Sequence, residues 1–367
     1  MKRGFLKVAL VMAAATVGDG VFALPYVFLK SGWALGLAYF ALLGAFVAFV
    51  HVIYFKTLER VDEKERLLGL TKKYFGARGF WVGFLIIVIG LLLSLVAILI
   101  LGAKFLELLF PVIPPLAAII IFWFIFALPL LLADGRVIGL ELVGIVCTAA
   151  IIVFVFAAAW PGAGFGSAPP VRLTYAFLPF GVILFSLAGW TGVEPAYEIA
   201  KREGKSAPVA GVVLGTIFAL ILYVFFVTGI LGSSFIVSPD TLSGLVSWPL
   251  WERTVFALLG FVSVWTISMP ISREIRNSLD RDLRWNPLVT KFLILFAPLL
   301  VLLAGFNNFL LVVGFVGGLF LSLQYVLIIL IGRRTLPLSS MKKYFLDATA
   351  VIFTLAALYE IFQFVIR

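Results

Sequence analysis

The chain has 367 residues, of which 63% are hydrophobic and 13% charged, too little polar surface to cover a soluble fold, so a polytopic membrane protein is implied. The formal charge of +10 does not point to nucleic acid, because the Lys and Arg residues sit in short clusters between apolar runs, as topology signals do. Cys147 and His51 are the only residues of their kinds, so the chain alone cannot build a disulfide or a thiolate metal site, and no cofactor is expected.

A bilayer core about 30 Å thick takes about 20 apolar residues per helix. Cutting the sequence at charges, prolines and glycines gives eleven spans: Phe5–Leu29, Trp33–Phe55, Phe80–Leu109, Val112–Leu132, Ile138–Trp160, Tyr175–Ala200, Val209–Leu231, Leu250–Ser272, Leu288–Phe306, Phe309–Ile331 and Tyr344–Ile366. With the N-terminus in the cytoplasm, 22 of the 28 Lys and Arg residues fall inside and five outside, Lys64 and Lys205 among the former and Arg367 among the latter. The remaining one, Lys291, lies within the ninth span, near enough to its end to snorkel. The expected setting is the plasma membrane, with the lipid bilayer as the main partner, the C-terminus outside, the N-terminal segment retained, and no obligate protein partner.

The first span carries the strongest local signal. Gly18-Asp19-Gly20 and Pro25 interrupt an otherwise apolar helix. Broken backbone within a bilayer is tolerated only where protein or a water-filled cavity satisfies it, and an intramembrane carboxylate usually marks a substrate, ion or proton pathway. Asp19 is therefore a candidate for substrate binding or proton coupling, against the plainer reading that it pairs with freed backbone N–H groups. The loop Lys56–Gly79 allows two readings: a short amphipathic helix on the inner surface, with Leu67, Leu68, Leu70, Tyr74 and Phe75 on its apolar face, or a solvated charged loop. His51 is expected to play a structural part near the inner interface, Lys104 to pair with Glu107, and Gly314 with Gly318 to mark helix packing.

The sixth span repeats the anatomy of the first, with Ser186, Gly189 and Gly192 followed by Glu194-Pro195. Five spans separate the two interruptions, which inverts the second unit in the membrane, and paired broken helices in inverted repeats point to a transporter's central site. The expected units are residues 1–160 and 174–332, with an extra helix at 343–367. Glu194 is expected to cap the resuming helix, with proton coupling as the rival role. Phe185 and Trp190 are placed to line a pocket for the passenger, and residues 232–249 to fold over the outer mouth as a lid.

Gly18-Asp19-Gly20-Val21-Phe22-Ala23-Leu24-Pro25-Tyr26 with Gly32-Trp33, then Gly189 through Glu194-Pro195, then Pro270 with Arg273, resemble the amino acid/auxin permease family and the related hydroxy- and aromatic-amino-acid permeases of the amino acid–polyamine–organocation superfamily. The resemblance implies an all-α LeuT-type fold of five plus five inverted helices with an eleventh added, carrying amino acids by alternating access. It places the substrate's carboxylate and amine on the unwound backbone of Gly18, Asp19, Gly20 and Val21 and of Leu187, Ala188, Gly189 and Trp190. Ala14 stands where sodium-coupled members tend to have Asn, and the fifth span lacks the Lys of some proton-coupled ones. Ser263, Thr266 and Ser268 are the candidates for a sodium ion, so the coupling ion stays open between H+ and Na+. The rival functions are a non-transporting sensor of the same fold and a passive channel. A membrane enzyme ranks last, since the chain holds no clustered acid–base pairs in its spans.

Overall fold

The computed structural model describes residues 2–61, 66–131, 134–160, 162–202, 209–234 and 236–366. Lys64, Lys205 and Arg367 of the charge count lie outside the described residues. No strand occurs among the described residues. The first span is two helices, α1 (Lys2–Thr16) and α2 (Leu24–Ser31), joined through an extended Gly18 and a 3-10 turn over Asp19–Ala23. The axis bends there by 51°. Pro25 does not make this break: it sits in the first turn of α2, where its missing N–H is not needed.

Gly32 ends α2 at φ 102°, a left-handed conformation that favours glycine, and a Cβ there would lie 2.7 Å from the carbonyl carbon of Pro170. That close approach lets Trp33 and Ala34 donate to the carbonyls of Pro169 and Pro170, so the link before the sixth span is tied to the start of α3 (Trp33–Val61).

The predicted start of the third span at Phe80 falls within a longer helical run. Helices α4 (Leu67–Phe84) and α5 (Gly90–Leu109), joined by a π-helical turn at Leu85–Ile89, extend over 43 residues, but the backbone leaves the helical conformation at Gly76 (φ 67°), so residues 67–75 form a separate helical piece before the apolar span. The amphipathic reading of its first turns holds as to helix and fails as to place. Leu67, Leu68 and Leu70 are buried within the protein while Lys72 and Lys73 are exposed, so the apolar face meets other helices instead of the bilayer surface.

The chain continues through α6 (Pro115–Ala127), α7 (Asp134–Ala159), α8 (Leu178–Ser186), α9 (Val193–Arg202), α10 (Ala210–Ser233), α11 (Leu250–Arg276), α12 (Pro287–Leu303), α13 (Phe309–Phe315), α14 (Ser322–Thr335) and α15 (Ser340–Ile366). Among the described residues, six helices are long and apolar enough to cross a membrane, and α1 with the bent segment after it makes a seventh. Segments 115–131, 143–159 and 287–303 are apolar but shorter. This is a multi-pass membrane protein.

At its centre α1 packs on α9 and α10, α11 on α5 and α7, and α2 on α8. Glycines set these distances, as expected where lipid gives no hydrophobic drive for helix association. Gly181 of α8 lies directly on the backbone of Gly314 and Gly317, and Gly318 faces Glu360 of α15, so the predicted packing role of the Gly314–Gly318 pair holds with α8 and α15 as the partners.

Candidate functional site

The two helix breaks meet. A Cβ on Gly20 would lie 2.6 Å from Ser186 Oγ and 2.9 Å from Phe185 Cδ1, so only glycine lets the first break approach the sixth so closely. Gly189 in turn faces Thr16 and His51, and Gly192 faces Ala15. The structure thus brings Gly18, Asp19, Gly20 and Val21 together with Phe185, Leu187, Ala188, Gly189 and Trp190. Substituting Gly20 by Ala is expected to push α8 from the 3-10 turn that holds Gly20, lowering stability by about 1–3 kcal/mol, as overpacking does; thermal unfolding in detergent checks it, and an unchanged midpoint would contradict the contact.

Each break is built alike. A hydroxyl residue ends the first half-helix and bonds back one turn, Thr16 to Met12 O and Ser186 to Val182 O, both within 2.9 Å. The freed carbonyls then find partners, as buried backbone must. Tyr223 of α10 places its hydroxyl 2.6 Å from both Thr16 O and Ser186 O, and Gly18 N–H donates to it at 3.3 Å. Tyr325 of α14 reaches Leu187 O at 3.3 Å and His51 Nε2 at 3.4 Å.

His51 is therefore not an interfacial residue. It is buried beside Gly189, and its Nδ1 makes no hydrogen bond among the described residues. The reason is that α3 runs on to Val61, which leaves His51 well inside the helix. Asp19 is 4% exposed and opens the 3-10 turn; its Oδ2 likewise has no hydrogen-bond partner among the described residues. Trp190 is fully buried and donates to Gln324 Oε1 at 2.7 Å, while Gln324 Nε2 donates to Ile86 O in the π turn before α5. Val21 and Phe22 complete the wall, Phe22 standing edge-on to Phe105, Phe226 and Phe256.

The hydroxyls of the eighth span lie on α11, which packs against both breaks, and each has a partner of its own. Ser263 pairs with Thr148 of α7, Thr266 bonds back to Val262 O and Ser263 O, and Ser268 bonds back to Trp265 O. Among the described residues no group of three or more His, Cys, Asp or Glu could hold a metal ion.

Solved structures match along nearly the whole chain. A manganese transporter of Eremococcus coleocola, in complex with an aromatic bis-isothiourea compound, is 16% identical over 98% of this chain and 86% of its own, with a TM-score of 0.67. MhsT in complex with L-phenylalanine is 15% identical over 99% of this chain and 98% of its own, with a TM-score of 0.65. The inward-facing conformation of Mhp1 is 16% identical over 90% and 77%, at 0.57. The fold is the LeuT fold. No family model matches the sequence, and no curated protein matches it.

Within this LeuT fold, side chains meet across the helices on either side of the two breaks. At the end holding most of the basic residues, Tyr54 of α3 donates to Glu194 Oε1 at 2.6 Å, and Arg66, just before α4, lies 3.1 Å from Glu194 Oε2 and bonds Glu274 of α11. Glu194 thus opens α9 with its carboxylate engaged by α3 and by the residue preceding α4. A second pair, Arg273 with Glu141, ties α11 to α7 at the same end. At the opposite end residues 236–249 fold inward: Leu242 and Leu245 are buried, and Thr241, at φ 62°, donates to Phe22 O. The predicted pairing of Lys104 with Glu107 is present at 2.8 Å.

Proposed function

We propose that the chain is a secondary active transporter of amino acids, working by alternating access in the plasma membrane with its N-terminus in the cytoplasm. The observation that carries this reading is the meeting of two helix breaks around Asp19, a buried carboxylate whose Oδ2 has no hydrogen-bond partner among the described residues. Unwound backbone offers N–H groups to a substrate carboxylate and carbonyls to its ammonium. Asp19 serves the ammonium or takes and releases the coupling proton.

A proton is favoured over sodium as the coupling ion because Asp19 is a buried carboxylate at the breaks and Ala14 stands where sodium-coupled members of the family it resembles tend to have Asn. Glu194, already held by Arg66 and Tyr54, serves as a latch. Aromatic substrates are favoured by Phe185 and Trp190 beside the breaks and by the L-phenylalanine in MhsT. The test is counterflow: proteoliposomes preloaded with single unlabelled amino acids should draw in the same labelled amino acid above equilibrium, for aromatic and small neutral members of a panel. Labelled solute that only equilibrates, whatever the preload, would indicate a channel; no entry at all would favour the sensor.

A further inference from the structure

The hydroxyl of Tyr223 lies equally close to two carbonyls that belong to different helices. It is 2.6 Å from Thr16 O, at the last residue of α1, and 2.6 Å from Ser186 O, at the last residue of α8, and it accepts from Gly18 N–H at 3.3 Å. A phenol has one proton to donate. It therefore serves one carbonyl at a time or shares itself between them, and in either case one atom of α10 ties both broken helices together. The residue is wholly buried, so no bulk water competes for these oxygens. Its ring packs against Phe40 of α3, with centroids 6.3 Å apart, which fixes the hydroxyl's position from the side.

We infer that Tyr223 is a positioning residue for transport, whose hydroxyl sets the separation of the two helix breaks and is released from α1 when that helix moves. This deepens the transporter reading and rests on it. Separation of α1 from α8 leaves the proton with one carbonyl and exposes the other to the path that opens. One hydroxyl thus distinguishes the closed arrangement from the open one without an ion between the breaks. Tyr325 binds Leu187 O of the sixth span and His51 of α3, and makes no hydrogen bond to α1 among the described residues.

The test uses the full-length protein with its single cysteine removed by Cys147→Ser and a reporter placed on the half-buried face of α1 by Ala14→Cys. Tyr223→Phe should raise the rate of maleimide labelling at position 14 at least fivefold and raise KM for counterflow at least tenfold, while Tyr325→Phe should leave labelling within twofold. Equal rates in Tyr223→Phe and its parent, or an equal rise in both Phe variants, would overturn the inference. Should Tyr223→Phe not fold, 3-fluorotyrosine at position 223 keeps the shape and strengthens the donor; labelling should then slow at least twofold, and an unchanged rate overturns the inference. Labelling is read without substrate, so loss of counterflow in the parent, which sinks the transporter reading, is distinguishable from failure of this one.

Discussion

Asp19→Asn is expected to weaken substrate binding about 10- to 100-fold, the worth of a charged hydrogen bond of ~1.5–3 kcal/mol, and to remove the gradient-driven component of uptake altogether. Asn has the size and shape of Asp and keeps its acceptor oxygen, so the 3-10 turn Asp19–Ala23 has no steric reason to change. What it loses is the charge and the proton. Since Asp19 Oδ2 has no hydrogen-bond partner among the described residues, the substitution breaks no bond made by that oxygen, and thermal stability should hold or rise. Counterflow kinetics with a melting curve on the same preparation check both halves. Wild-type KM with wild-type driven accumulation would remove Asp19 from the site.

Arg66→Ala should have the larger effect on conformation. The guanidinium holds Glu194 of α9 and Glu274 of α11 together, and the side chains of these three residues are 20%, 10% and 6% exposed. Truncating one member of a buried ionic cluster leaves like charges facing each other and typically costs about 3–5 kcal/mol. That penalty applies only while the basic end is closed, because an open end hydrates both carboxylates. The equilibrium should therefore move toward the open arrangement by about 100-fold or more. Labelling of a cysteine at position 14 by a membrane-impermeant maleimide from the cytoplasmic side should speed up accordingly. Glu274→Gln, which removes one charge and keeps a hydrogen-bond acceptor, should shift labelling in the same direction by less. No change with Arg66→Ala would show that the cluster is not what closes that end.

Much of this arrangement is legible in the sequence, and the parts that are not share a cause. The breaks are legible because Gly18-Asp19-Gly20 and Gly189 through Pro195 are local: glycine, acid and proline set close together in one span cannot be mistaken for ordinary lipid-facing sequence. Their partners are not. Tyr223, Tyr325 and Gln324 are single polar tips in long apolar helices, and which way each points depends on the rotation of its helix, which composition does not give. A sign is available, since tyrosine buried in a bilayer needs a partner for its hydroxyl, and freed carbonyls are the nearest supply. His51 is misplaced by the sequence for a related reason: apolar character ends the second span at Phe55, whereas α3 continues to Val61, carrying His51 to the level of Gly189. Arg66 reads as a topology signal, and nothing local distinguishes a basic loop residue facing water from one that closes on two distant carboxylates.

The most direct test of the central claim is accumulation of labelled L-phenylalanine in proteoliposomes under an inward proton gradient, an inward sodium gradient and no gradient. The account predicts concentration above the outside level with the proton gradient, equilibration without it, and loss of the driven component in Asp19→Asn. Equilibration alone under all three conditions, with Asp19→Asn indistinguishable from wild type, would contradict it.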